Sequence, residues 1–125
     1  MAIDWGARRI GVAVSDSGTI ATPHSVLRNE GDVVEKLAAL ARALDAETIV
    51  VGVARNGQKF RDLAEQLRQK TCKHVVLWDE ALTTVEAAER LRAAGRKRRD
   101  AQREIDMHAA AVILQSYLDH GGGAS

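Results

Sequence analysis

IDWGARRIGVAVSD, residues 3–16, decides the fold. Met1 to Trp5 is short and apolar apart from Asp4, Gly6 breaks it, and Arg9 to Ser15 reads as a second strand, so the stretch forms a hairpin. Asp16-Ser17-Gly18 supplies turn chemistry, and Thr19 to Thr22 makes a short third strand that Pro23 stops. These are three antiparallel strands.

Downstream the period changes. Asp32 to Leu44 carries Val33, Val34, Leu37, Ala38, Leu40, Ala41 and Leu44 at the three-and-four spacing of an amphipathic helix, with Asp32 as its cap. Thr48 to Val53 is a β-branched run that reads as a buried strand. A helix over Gln58 to Lys70 turns Phe60, Leu63, Ala64 and Leu67 inward, and Val75 to Trp78 is another strand. Thr83 and Glu86 have capping-box spacing and open a helix that Gly95 stops. A last helix spans Ala101 to Leu118, and its unbroken apolar segment Ala109 to Leu114 should be covered on most sides. The expected fold is α/β: a five-stranded mixed sheet of three antiparallel strands, then two parallel ones, flanked by helices.

The chain's 125 residues suit one domain, expected over residues 1–119 with a loose tail at 120–125. No apolar run reaches the ~18 residues that span a bilayer, so no membrane partner is expected. Cys72 is a single cysteine and no secretory pattern opens the sequence, which points to the cytoplasm. The net charge of +1 hides a segregation. Arg90 to Arg103 holds seven basic residues and one acid, a local +6 against −5 in the remainder. Such a cluster suits a polyanion held at one place. Arg92, Arg96, Lys97, Arg98, Arg99 and Arg103 make a phosphate clamp, with Arg8 and Arg9 as weaker candidates. Four aromatic residues are too few for a base-stacking platform, and Trp5 and Trp78 read as core.

Three carboxylates occupy costly positions. Asp4 lies between Ile3 and Trp5 in a central strand, Glu80 follows a strand end, and Asp106 shares a helical face with Ala109, Ala110, Ile113 and Tyr117. Each has an ordinary alternative: an Arg partner for Asp4, a solvated loop for Glu80, a helix-start anion for Asp106. Converging acids about 4 Å apart repel by roughly 4 kcal/mol per pair at an effective dielectric of 20, and a divalent cation relieves them. Hard oxygen ligands without a Cys or His framework select Mg²⁺ or Mn²⁺. His24, His74, His108 and His120 show no metal-ligand spacing, and His108 reads as a packing residue. The matching chemistry is phosphodiester hydrolysis.

In order and spacing, IDWGARRIGVAVSD, VVLWDEALTT and EIDMHAAAVILQSYL resemble the RuvX/YqgF family of RNase H-like nucleases, a likeness covering Met1 to Asp119. The resemblance implies an RNase H-like fold and divalent-metal catalysis by Asp4, Glu80 and Asp106. It also implies 5′-end maturation of precursor 16S ribosomal RNA, with resolution of Holliday junctions as the alternative. A two-fold junction needs two sites, and so a homodimer. The sequence departs from the family in three places. The segment ahead of Asp4 is short, the family's DER-L-T reads Asp79-Glu80-Ala81-Leu82-Thr83 without the Arg, and the loop after Gly52 is shortened to Val53-Ala54-Arg55-Asn56-Gly57, which alters substrate positioning around Asn56. Two rivals remain at this level. An actin-like nucleotide-binding protein shares the Asp4-Trp5-Gly6 opening but needs two domains, and a non-catalytic RNA-binding module would use only the basic segment.

Overall fold

A computed structural model describes residues 1–53, 57–80 and 101–120, with residues 101–107 described through their backbone alone. The elements are β1 (Ala2–Trp5), β2 (Arg9–Val14), β3 (Thr22–Arg28), α1 (Val33–Ala43), β4 (Thr48–Val53), α2 (Gln58–Thr71), β5 (His74–Asp79) and α3 (Ala101–Asp119). The strands form one sheet in the order β3-β2-β1-β4-β5. β1 pairs antiparallel with β2 and β2 with β3, whereas β1–β4 and β4–β5 are parallel. The expected sheet is therefore present, with the strand that carries Asp4 at its centre.

The third strand differs from the sequence reading. It begins at Thr22, where it was expected to end, and runs through Pro23 to Arg28. Thr19 and Ile20 belong to a serine-built turn instead. Ser15 Oγ accepts from the Gly18 N–H at 3.0 Å and donates to the Ile20 carbonyl at 2.8 Å, while Ser17 Oγ accepts from the Thr19 and Ile20 N–H groups. Pro23 is tolerated because β3 is an edge strand and the β2–β3 register shifts between Val12 and Ala13, beside Pro23.

Strand alternation divides the interior into two cores. Ile3, Ile10, Val12, Ile49, Val51 and Val75 face α1 and α2, meeting Val33, Leu37, Ala41, Phe60, Leu63 and Leu67. Asp32 caps α1 by accepting from the Glu35 N–H at 3.2 Å. α2 ends at Cys72, whose backbone is left-handed at φ 57° and whose N–H donates to the Arg68 carbonyl. On the other face Ala2, Ala13 and Val50 meet Ala110, Ala111, Ile113, Leu114 and Tyr117 of α3.

From Ala110 to Tyr117 all but one residue of α3 is buried, Gln115 and Ser116 included, as the unbroken apolar run anticipated. Gln115 is satisfied on both ends of its amide. Its Oε1 accepts from the Ala21 N–H at 2.9 Å, and its Nε2 donates to the Thr19 carbonyl at 2.9 Å and to Asp119 at 3.0 Å. A buried amide so paired fastens the β2–β3 turn to α3. Trp5 and Trp78, expected in the core, are half-buried at its margins, each packed against a different core. Trp78 Nε1 donates to Ser116 Oγ at 3.2 Å, and its ring meets Tyr117 edge-on at 5.4 Å. The polar end of an indole needs such a partner, which keeps it at a margin. No helix among the described residues is long and apolar enough to cross a membrane. The helix expected from Thr83 to Gly95 and the tail beyond residue 120 lie outside the described residues.

Candidate active site

Because β1, β4 and β5 are parallel, their carboxyl ends share one edge of the sheet. Asp4 is level with Gly52, and Gly52 with Trp78. Glu80 follows β5 two residues beyond that row. Asp4 and the end of β5 are thus two strand spacings apart, about 10 Å, with only a glycine between them in the row. Ala2 packs toward α3 and Ile3 toward α1 and α2, so alternation turns Asp4 to the α3 face. Asp4 and Glu80 are both half-buried. Binding groups of open α/β sheets gather at this carboxyl edge.

Gly52 determines how α3 lies over that row. A Cβ built on it would overlap the Ile113 side chain, so the glycine lets the helix press onto the sheet beside Asp4. Leu114 and Tyr117 lie around Val50, two residues nearer the start of β4. α3 therefore descends from the carboxyl edge, and the backbone of residue 106, seven positions before Ile113, lies about 10 Å further toward the edge along the helix axis. The glycine's position was legible as a break in the β-branched run Thr48 to Val53. Its contact with Ile113 was not.

Arg8 and Arg9 are exposed in the turn and strand that follow β1, at the same edge as Asp4. Arg9 pairs across β2–β3 with Arg28, also exposed, a residue that sequence reasoning did not single out. Asn29 was missed as well. Its N–H donates to the Arg8 carbonyl at 2.8 Å and its side-chain amide to the Gly6 carbonyl at 2.8 Å. Nothing in the local sequence marks Asn29, because both partners are more than twenty residues away.

Asn56, Arg92, Arg96, Lys97, Arg98 and Arg99 lie outside the described residues, and the side chains of Arg103 and Asp106 do too. Among the described residues no three His, Cys, Asp or Glu side chains gather at metal-holding range. Of the three carboxylates expected to hold a metal, Asp4 and Glu80 have described side chains, and both lie at one edge. Such hard oxygen donors fit Mg²⁺ or Mn²⁺ and do not fit a structural zinc site. A cleft of about 470 Å³ opens at the opposite end of the sheet, lined by Asp16, Asp45, Thr48, Val50, Leu114 and Tyr117 among others. It is large, but it lies at the strand starts, away from both carboxylates.

The model of the family described as "RuvX: Holliday junction resolvase" matches residues 1–120. A protein of Mycobacterium bovis (strain BCG / Pasteur 1173P2), named "Putative pre-16S rRNA nuclease", is 42% identical over 131 residues, covering 95% of this chain and 77% of that protein. One of Mycolicibacterium paratuberculosis (strain ATCC BAA-968 / K-10) with the same name is 40% identical, covering all of this chain and 82% of its own length. Among solved structures, T. thermophilus RuvC in complex with a Holliday junction substrate aligns with a TM-score of 0.64 at 10% identity, over 98% of this chain and 93% of the other. That likeness is one of fold, and the fold is RNase H-like.

Proposed function

From the premise that this chain belongs to the RuvX family, we propose that it is a divalent-metal-dependent nuclease that hydrolyses phosphodiester bonds in the 5′-end maturation of precursor 16S ribosomal RNA. The observation that carries this reading is the shared edge: Asp4 and the Glu80-bearing strand end flank Gly52, with α3 lying over the same row through Ile113. The names of the mycobacterial relatives support the substrate.

Asp4, Glu80 and Asp106 hold Mg²⁺ or Mn²⁺. When bound, the metal would lower the pKa of an attacking water and offset the charge that develops on the leaving oxygen. Asp4 sits on the central strand, where pairing on both sides fixes its backbone, so its carboxylate keeps its place while substrate arrives. Glu80 approaches from the end of β5 with a longer and more adaptable side chain. Asp106, carried by α3, would be the third member of the set. Arg8 and Arg9, with Arg92, Arg96, Lys97, Arg98, Arg99 and Arg103, hold the phosphate backbone by charge and carry affinity without sequence preference, and Asn56 helps to position the substrate through its neutral amide. The site of action is the cytoplasm, where precursor rRNA is found.

The family description favours a second substrate, a four-way DNA junction, whose two-fold symmetry calls for a homodimer. One experiment separates the readings. Labelled precursor rRNA, single strands and four-way junctions are incubated with the purified chain while Mg²⁺ or Mn²⁺ is titrated, with Asp4→Asn, Glu80→Gln and Asp106→Asn run in parallel. Metal-dependent cleavage of the rRNA, lost in all three variants, is expected. Activity that is equal without metal or persists in the variants rejects the assignment, and binding without cleavage favours a passive RNA-binding role. Quenching of Trp5 and Trp78 fluorescence by Mn²⁺ reports metal binding independently, because both indoles lie in or beside the Asp4 row.

A further inference from the structure

We propose that Arg28, acting with Arg9, is a phosphate-binding pair that holds the nucleic-acid backbone two to four nucleotides from the bond to be cut. The inference rests on the nuclease reading for its reference point, the Asp4 carboxylate, and adds a residue and a direction to it.

Arg9 and Arg28 stand directly opposite one another on β2 and β3, and both are exposed. Ile10 and Val12 face α1 and α2 while Ala13 faces α3, so alternation along β2 places Arg9 on the α3 face. Leu27 packs against the α1/α2 core, which turns Arg28 to the α3 face as well. Asp4 shares that face. Since Asp4 pairs with Gly11, Arg9 is one strand over and two residues past Asp4's row, and Arg28 is one strand further. Their backbones are about 8 and 12 Å from that of Asp4. At about 3.4 Å of rise per nucleotide along one strand, those distances correspond to two to four phosphates from the cut.

Arg9 and Arg28 stand in register with both residues exposed on the Asp4 face, so the pair concentrates positive charge at the edge where Asp4 lies. Two forked donors suit phosphate oxygens, which each can bind in bidentate fashion. The pair is also held in place. Asn29 follows Arg28 and fastens the β1–β2 turn through its bonds to the Gly6 and Arg8 carbonyls. Gly6 permits that turn, since a Cβ there would overlap the Arg9 carbonyl oxygen. The distance from Asp4 to the arginines is therefore set by the sheet and by this clasp.

The test is fluorescence anisotropy with a labelled RNA hairpin carrying a 5′ single-stranded extension, in EDTA, across a salt series. A labelled four-way DNA junction forms a second arm. For Arg28→Gln the slope of log affinity against log salt should fall by about 0.7, and for Arg9→Gln with Arg28→Gln by about twice that. Arg28→Lys, which keeps the charge, should retain the wild-type slope. Lys59→Gln, an exposed cation on α2 behind the sheet, should leave it unchanged. An unchanged slope in Arg28→Gln overturns the proposal, as does an equal fall in Lys59→Gln. Thermal melts confirm that each variant is folded. Cleavage is followed in parallel with Mg²⁺, so the two readings part: cleavage with an unchanged slope removes the arginine pair and keeps the nuclease, whereas a lowered slope without any cleavage does the reverse.

Discussion

On the α1/α2 side the sheet offers Ile3, Ile10, Val12, Ile49, Val51 and Val75, and on the α3 side it offers Ala2, Gly11, Ala13, Val50 and Gly52. The first face is bulky, and two amphipathic helices meet it through evenly spaced aliphatic side chains. The second is made of small residues along β1, β2 and β4, with Val76 and Trp78 of β5 at its margin, so one helix buried on most sides can approach closely there, and its polar members must be satisfied within the protein. Gln115 meets that requirement fully. Asp4, Arg9 and Arg28 lie on this second face, at its carboxyl edge. The difference teaches that one side of the sheet supplies stability through volume, while the other, where close approach is possible, is the side to which the proposed function assigns the chemistry.

That contrast can be broken most severely at Asp4. Asp4→Asn keeps the shape of the strand and should lower metal-dependent cleavage by about three orders of magnitude, near 4 kcal/mol of transition-state stabilisation, with an unchanged thermal midpoint. Single-turnover cleavage alongside a melt checks both halves. The mirror experiment is Leu37→Ala on the other face. Leu37 is fully buried in the α1/α2 core, so its truncation should cost about 3 kcal/mol in urea unfolding while activity well below the melting point stays at the wild-type level. If Leu37→Ala reduced turnover as much as stability, the division between the faces would fail.

Gly52→Ala sharpens the comparison because it should affect both properties. The added methyl meets Ile113, so α3 must lift at the row that joins Asp4 to Trp78. Overpacking of this kind costs about 2 kcal/mol, and a roughly tenfold loss of cleavage should accompany it. Ile113→Ala in the same chain should restore part of the activity, and failure of that rescue would show that Gly52 does not set the helix height.

The smallest effect is expected on the far surface, where Glu35 of α1 accepts from Lys70 of α2 at 3.1 Å and from Arg42 at 3.2 Å. Lys70 first, and then Arg42, hold its carboxyl below the ordinary 4.5. A depressed carboxylate pKa contributes stability above the unfolded value, and that contribution is lost as pH falls through the folded one. Glu35→Gln should therefore lower stability slightly at neutral pH, where that contribution is fully present, and match the wild type at the acid end, so that the acid limb is flattened; the effect is small because the carboxylate is solvent-exposed. Melts between pH 3 and pH 7 measure it.

Periodicity made much of this readable in advance. Thr48–Val53 is a strand at the expected bounds, α1 and α2 have the expected inward residues, and the two late strands are parallel. Strand three runs on through Pro23, where the sequence predicts a stop, because whether proline ends a strand depends on whether that strand lies at an edge, which pairing order alone determines. Of the candidate site, Asp4 and Glu80 are legible in the sequence as carboxylates in costly positions. Arg28 and Asn29 are not, since an exposed arginine and a loop asparagine look ordinary until their partners are known.

By itself the sequence determined the local elements, the faces that would be apolar, and the acids and bases that needed an explanation, because backbone period and side-chain chemistry are properties of neighbouring residues. The tertiary structure alone decided that β1 lies between β2 and β4, that Gly52 admits Ile113 beside Asp4, and that Arg9 stands across from Arg28 under the clasp of Asn29. Those relations join residues far apart in the chain, and only strand order and register, set by the simultaneous burial of both faces, bring them together.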